Sequence, residues 1–204
     1  TQAARPLAHV NIVVPLLLGH AAAWHVAGRF SFPWLLGALV WGVLDHLFVM
    51  FANDFADRDT DTGARTVLSG GSGVIQEGKL SAARIGAAAK VAAVALLVYS
   101  FAMSAFGRPW VPLFGVAALL LMWLYSFPPV RLSARGGGEW LQALGVGVGL
   151  PSLGYYLQTN APLAPLWVLA PATLLGLCSN VLTALPDAKD DARANKRTWP
   201  VRRG

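Results

Sequence analysis

Seven of the ten acidic residues in this 204-residue chain fall in two short segments. The first reads Asn53-Asp54-Phe55-Ala56-Asp57-Arg58-Asp59-Thr60-Asp61, the second Asp187-Ala188-Lys189-Asp190-Asp191. Asp54, Asp57 and Asp61 are spaced by three and four residues, which stacks them on one face of a helix. Asp187 and Asp191 repeat the four-residue interval. Like charges at that spacing oppose a helix, so something cationic must compensate. Hard oxygen ligands in this number suit Mg²⁺, which takes a few carboxylates and completes its shell with water and phosphate oxygens. Arg58, Arg65, Lys196 and Arg197 lie among or beside the acids and add phosphate-binding capacity. Carboxylates and arginines together describe a cradle for a metal-bridged diphosphate. The plainer alternative is that these charges merely solvate helix ends. It serves for either segment alone and poorly for both together.

The elements that position these residues are apolar. The chain is 55% hydrophobic, carries 26 charged residues (16 basic, 10 acidic) and has a mean hydropathy of +0.53. Those values exclude a disordered chain and argue against a soluble domain. A lone Cys178 excludes a disulfide scaffold. Six stretches are apolar and long enough to cross a bilayer as helices, at about 8–28, 33–52, 82–106, 110–127, 138–158 and 163–186. The fold class is therefore an all-α, polytopic transmembrane bundle. Of the 16 Lys and Arg residues, 14 lie in the N-terminus, the even-numbered loops and the C-terminal stretch, leaving Arg29 and Arg108 on the other side. This bias places the N-terminus and both acidic segments at the cytoplasmic face. The net charge of +6 thus reads as membrane topology and not as nucleic-acid binding. Four spans separate the acidic segments, and an even number returns them to the same face. A lipid tail attached to the diphosphate would then lie between the helices. A chain starting at Thr1 and stopping at Gly204 reads as an excised fragment.

Asn53-Asp54-x-x-Asp57-x-x-x-Asp61 resembles the first aspartate motif of the UbiA superfamily of intramembrane prenyltransferases. Asp187-x-x-x-Asp191 followed by Asn195-Lys196-Arg197-Thr198 resembles the second, with Asn195 where the family usually has glycine. Between them, Tyr125-Ser126-Phe127-Pro128-Pro129-Val130-Arg131 and Gly138-Glu139 look like the family's central cytoplasmic loop. The resemblance implies a single domain over 1–204, incomplete at its C-terminus, with about six of a typical nine helices. It implies a Mg²⁺-dependent transferase moving a prenyl group from an allylic diphosphate to an acceptor. Asn53, Asp54, Asp57, Asp61, Asp187 and Asp191 are then the metal and diphosphate cradle. Arg58, Arg131 and Tyr125 contact the diphosphate, with Arg65, Lys196 and Arg197 as further phosphate contacts. By that resemblance the protein is integral to a bacterial inner membrane.

His46 precedes Asn53 by seven residues and so shares its face deeper in the bundle, where it orients or deprotonates the acceptor or simply meets a backbone carbonyl. Asp45 points about 180° from Asp54 on an ideal helix, which favours a structural pairing with another helix. Glu139, following three glycines, favours the N-terminus of the fifth helix. Most of the eight Trp and nine Phe are expected to face lipid, with a few shielding an allylic cation. The segment 68–80, Leu-Ser-Gly-Gly-Ser-Gly-Val-Ile-Gln-Glu-Gly-Lys-Leu, lacks a P-loop ending and reads as a loop over the site. Its Gly-Gly-Ser-Gly run looks more like the dihydroxynaphthoate prenyltransferases of menaquinone synthesis than the hydroxybenzoate enzymes. The expected acceptor is 1,4-dihydroxy-2-naphthoate. A hydroxybenzoate, a chlorophyllide, a glycerol-lipid or internal cyclisation remain alternatives. A divalent-cation transporter is disfavoured, because both clusters sit at one end beside arginines.

Overall fold

The computed structural model describes residues 2–28, 30–60 and 71–203, and all regular structure among them is helical. A 3₁₀ turn, Pro6–His9, leads into α1 (Val10–Ala27), followed by α2 (Phe32–Ala56), α3 (Ala82–Ala105) and α4 (Val111–Ser126). The short α5 (Leu132–Arg135) precedes α6 (Gly138–Leu144), a π-helical turn (Gly145–Gly149) and α7 (Leu150–Thr159). The chain then forms α8 (Leu166–Ala184), α9 (Ala188–Arg193) and α10 (Trp199–Arg203). Each expected span has its counterpart within a few residues. Among the described residues, four helices, Pro6–Ala27, Phe32–Ala56, Ala82–Ala105 and Leu166–Ala184, are long and apolar enough to cross a membrane. The fourth expected span is the shorter apolar helix α4, and the fifth is assembled from α6, the π turn and α7.

Two glycine positions decide how closely the rods pack. A Cβ at Gly19 of α1 would collide with the carbonyl of Pro151, and one at Gly154 of α7 with the carbonyl of Leu16. The backbones of α1 and α7 thus touch, as small residues allow in membrane bundles. Leu16, Trp41, Leu96, Leu153 and Tyr156 fill the core beside this crossing. Trp41 donates its indole N–H to Ser100 Oγ at 2.9 Å, and the Ser100 hydroxyl donates to the Leu96 carbonyl at 2.7 Å. A buried indole needs such a partner. Six of the eight tryptophans (24, 110, 123, 140, 167 and 199) are instead exposed on the bundle surface, as lipid-facing or interfacial residues should be.

At the end of the bundle away from the acidic segments, the loops are latched. Arg108 Nε donates to the Leu157 carbonyl at 2.8 Å while its guanidinium lies 4.3 Å from the Trp34 ring centroid. Burial holds its pKa below the usual arginine value. Gln158 accepts from Ser31 N (2.7 Å), donates to Ser31 O (3.0 Å) and meets His20 Nδ1 at 2.8 Å. At the carboxylate end, the segment before α1 folds back over the bundle. Gln2 donates to the Ser72 carbonyl (2.8 Å) and accepts from Lys79 Nζ (2.8 Å), and the Ala4 carbonyl meets His46 Nε2 at 2.6 Å.

Candidate functional site

A cavity of about 380 Å³ opens among α1, α2, α4, the π turn and α8. Its outer wall carries Asn53, Asp57, Tyr125, Asp187, Asp191 and Lys196, and His46 lies on its inner wall. Two segments 130 residues apart in sequence (57 to 187) therefore share one space.

Local structure explains each placement. The helical backbone of α2 stops at Ala56, and Asp57 is its C-cap, with φ −97° and ψ 11°. There the carboxylate accepts from Arg131 Nη2 at 3.0 Å, as a largely buried ion pair. Arg131 reaches it from the N-cap of α5, where its backbone is left-handed (φ +45°). Ser126 Oγ donates to Asn53 Oδ1 at 3.4 Å. On the facing segment, Asp187 caps α9 and its carbonyl accepts from Asp191 N at 2.8 Å, so the four-residue interval is a true helical turn. Asp191 holds Lys196 Nζ at 3.4 Å through Oδ1 and Thr198 Oγ1 at 3.2 Å through Oδ2. The turn that allows this passes through Asn195 at φ +55°. Left-handed backbone favours glycine and tolerates asparagine, so Asn195 fits this turn.

Glu139 then fixes the whole second segment. Its Oε2 accepts from Gly137 N (3.3 Å) at the start of α6, the helix-terminal role expected of it. Its Oε1 also accepts from Trp199 N at 2.6 Å. Arg197 N donates to the Ala134 carbonyl at 2.7 Å. The stretch carrying Lys196 and Thr198 is thereby docked on the central loop.

Several expected site residues lie elsewhere. Asp54 does not line the cavity; its carboxylate accepts the Ser72 amide (3.1 Å) and the Ser72 hydroxyl, and so anchors the glycine-rich segment. Asp45, expected to pair with another helix, lies on the cavity wall, and its Oδ1 has no hydrogen-bond partner among the described residues. Both corrections have one cause. The cavity-facing arc of α2 runs through Trp41, Asp45, Val49, Asn53 and Asp57. At about 100° per residue, Asp54 falls opposite Asp45 and outside that arc. The 180° relation between the two holds, with the opposite residue facing the cavity. Arg58 turns to its own helix end, donating to the Phe55 carbonyl (2.7 Å) over the Phe55 ring (4.7 Å) and lying 3.5 Å from Asp59. The Arg197 side chain is exposed and absent from the lining, while its backbone makes the docking contact. Asp61 and Arg65 lie outside the described residues.

His46 lines the cavity, and its Nε2 meets the Ala4 backbone carbonyl. Sequence reasoning missed Arg5, Asn11, Asn180 and Thr198, all of which line the cavity. For Asn180 the signal was available, since a polar side chain within an apolar span marks a functional position. For Arg5 it was not, because only the fold brings the N-terminal segment across the bundle.

A solved structure of a UbiA homolog from Archaeoglobus fulgidus bound to GPP and Mg²⁺ superposes with a TM-score of 0.73 at 19% identity, over 100% of this chain and 68% of that one. The same homolog bound to DMAPP and Mg²⁺ gives 0.72 at 19% identity, over 98% of this chain and 67% of that one. These likenesses show a shared fold. No curated protein matches the sequence. The model of the UbiA prenyltransferase family matches residues 12–204. Both acidic segments and all but the N-terminal edge of the cavity fall inside that match, and the chain belongs to the UbiA prenyltransferase family.

Proposed function

We propose that this chain carries out Mg²⁺-dependent transfer of a polyprenyl group from an allylic prenyl diphosphate to an aromatic acceptor. It does so as one transmembrane domain of a bacterial inner membrane, with the N-terminus and the carboxylate end in the cytoplasm. The reading rests on one observation: Asp57, Asp187, Asp191 and Lys196 line one cavity, and Arg131 pairs with Asp57 at its edge. The Archaeoglobus homolog, solved with GPP or DMAPP and Mg²⁺, supports the same ligands here.

The donor set fits a metal that arrives with its substrate. Among the described residues, no three carboxylate, thiol or imidazole groups gather into a ready-made metal cage. Asp57 and Asp191 are each engaged by a cation. Mg²⁺ commonly binds through one or two carboxylates plus substrate phosphates, so a preformed cage is not required. Asn53, Asp57, Asp187 and Asp191 would hold it, and bound Mg²⁺ would neutralise charge on the departing diphosphate. Arg131 and Lys196 supply fixed positive charge at the same end, where the leaving oxygen becomes negative. Trp41, Phe114 and Tyr125 give the cavity aromatic walls that stabilise an allylic cation and exclude water. Tyr125 stands nearest the carboxylate end by its place at the close of α4.

The acceptor we assign is 1,4-dihydroxy-2-naphthoate, attacked through an electron-rich ring carbon with loss of the carboxylate restoring aromaticity. Gly71 of the glycine-rich run lines the cavity, and a border without side chains leaves room for a two-ring acceptor. The test supplies 1,4-dihydroxy-2-naphthoate and 4-hydroxybenzoate at equal concentration with one polyprenyl diphosphate. The naphthoate product should predominate. Preferential prenylation of hydroxybenzoate would refute the acceptor assignment while keeping the reaction class.

A further inference from the structure

Asp54 and Ser72 are each only 6% exposed, and they meet twice. The Ser72 amide donates to Asp54 Oδ1 at 3.1 Å, and the Ser72 hydroxyl donates to Oδ2. Both oxygens of one carboxylate are thus committed to a single residue. Hydrogen bonds to an ionised acceptor are the strong ones, so this grip is firm.

Ser72 is also a junction. Its carbonyl accepts from Gln2 Nε2 at 2.8 Å, and Gln2 Oε1 in turn accepts from Lys79 Nζ at 2.8 Å. Gly71 before it (φ +65°) and Gly73 after it (φ +72°) are both left-handed, a geometry that glycine permits. The side chain between these two bends is the one that α2 holds.

The held segments border the site. Gly71 lines the cavity, and so does Arg5, three residues beyond Gln2. The N-terminal segment is pinned again where the Ala4 carbonyl meets His46 Nε2 at 2.6 Å. Asp54 faces away from the cavity, while Asn53 and Asp57 line it. The last turn of α2 therefore serves two sides, one toward the ligand and one toward the loop that walls it.

We infer that Asp54 is a positioning residue. Through Ser72 it holds the Gly71 border and the Gln2–Arg5 strap in the geometry that receives a prenyl diphosphate. It is not a metal ligand, although it stands between two residues assigned to Mg²⁺. A border held in advance removes an ordering cost that binding would otherwise carry. This rests on the transferase reading, which supplies the ligand. Asparagine at position 54 would keep both contacts, its carbonyl accepting from the Ser72 amide and its NH₂ donating to the Ser72 hydroxyl oxygen. Alanine would keep neither. At Asp57 the same change to asparagine takes a charged oxygen from the metal, so the two positions should respond differently.

The experiment measures geranyl diphosphate binding to the chain in lipid nanodiscs by equilibrium dialysis as Mg²⁺ is varied, with empty nanodiscs subtracting partition into lipid. Asp54→Ala should weaken binding at saturating Mg²⁺ about tenfold, the scale of one hydrogen bond to a charged group. Asp54→Asn should recover affinity to within about threefold and keep the half-saturating Mg²⁺ concentration within about twofold of the parent. Asp57→Asn should instead raise that concentration about tenfold or more. Ser72→Ala should also weaken binding, and adding it to Asp54→Ala should weaken it no further. A Mg²⁺ requirement raised as much in Asp54→Asn as in Asp57→Asn would overturn the inference, as would additive losses in the double variant. Hydrogen exchange over residues 71–80, read without ligand, tests the grip alone. Asp54→Ala should speed it about tenfold or more, and parental exchange would overturn the inference. Failure of the parent to bind geranyl diphosphate would overturn the transferase reading, while the exchange comparison still decides whether Asp54 holds the loop.

Discussion

At the latched end of the bundle, polar side chains close on backbone. Arg108 reaches the Leu157 carbonyl, and Gln158 satisfies both the amide and the carbonyl of Ser31. At the carboxylate end some also meet backbone, as Glu139 at Trp199 N, but those on the cavity wall close on one another, as Asp57 with Arg131 and Asp191 with Lys196. Bonds to backbone hold the chain in place. Ion pairs contribute less to the fold, and an incoming anion can exchange with them. The comparison separates residues kept for architecture from residues kept for binding, a separation that charge and hydropathy alone do not make.

The largest effect that would sharpen this contrast lies at the carboxylates. Asp57→Asn or Asp191→Asn should lower prenyl transfer by about 10²–10³-fold, the usual cost of removing one preorganised electrostatic contribution. The check is a steady-state assay at limiting Mg²⁺, in which parental rates from both variants would break the proposed mechanism. A smaller effect is expected at Glu139, which touches no substrate and positions the second segment through Trp199 N. Glu139→Ala leaves that part-buried amide without its acceptor, at a cost of about 1 kcal/mol, and should raise KM for the prenyl diphosphate roughly tenfold. Glu139→Gln keeps an acceptor oxygen and should restore most of the loss, whereas a change confined to thermal stability would make the residue purely structural. The smallest effect belongs to the latched end. Arg108→Ala removes two hydrogen bonds, to the Leu157 and Gly107 carbonyls, and one cation–π contact, and should cost about 1–2 kcal/mol of stability. Thermal unfolding in detergent would show it, and an unchanged KM for both substrates would keep the two ends distinct.

The spans were legible because bilayer thickness imposes a length that composition alone reveals. Parity was legible for the same reason, since an even count of crossings returns a chain to its starting face. Facing was less so. Asp54, Asp57 and Asp61 stack only on a continuing helix, and α2 ends at Ala56. Beyond that point the rule of three and four residues no longer describes where a side chain points. Asp45 and Asp54 were placed opposite each other, but nothing in a single helix says which side its neighbours leave open. Arg131 could be singled out by motif, while its left-handed backbone and its reach to Asp57 are products of tertiary contact. The role of Glu139 as a clamp depends on Trp199, sixty residues further on. Long-range docking of that kind leaves no periodic trace.

The latches at Arg108 and Gln158 have an electrical consequence. The charged residues stand at the outer mouth of a cavity whose lining is otherwise largely apolar, so in a bilayer the membrane voltage drops across its dry inner part and the packed half beyond. Carrying one elementary charge through the whole drop costs about 2.3 kcal/mol per 100 mV. Asp57, Asp191 and any anion bound beside them stand on the conductive side of that insulator and cross almost none of it. Turnover in energised vesicles should therefore be nearly indifferent to voltage, and the cavity should leak no ions.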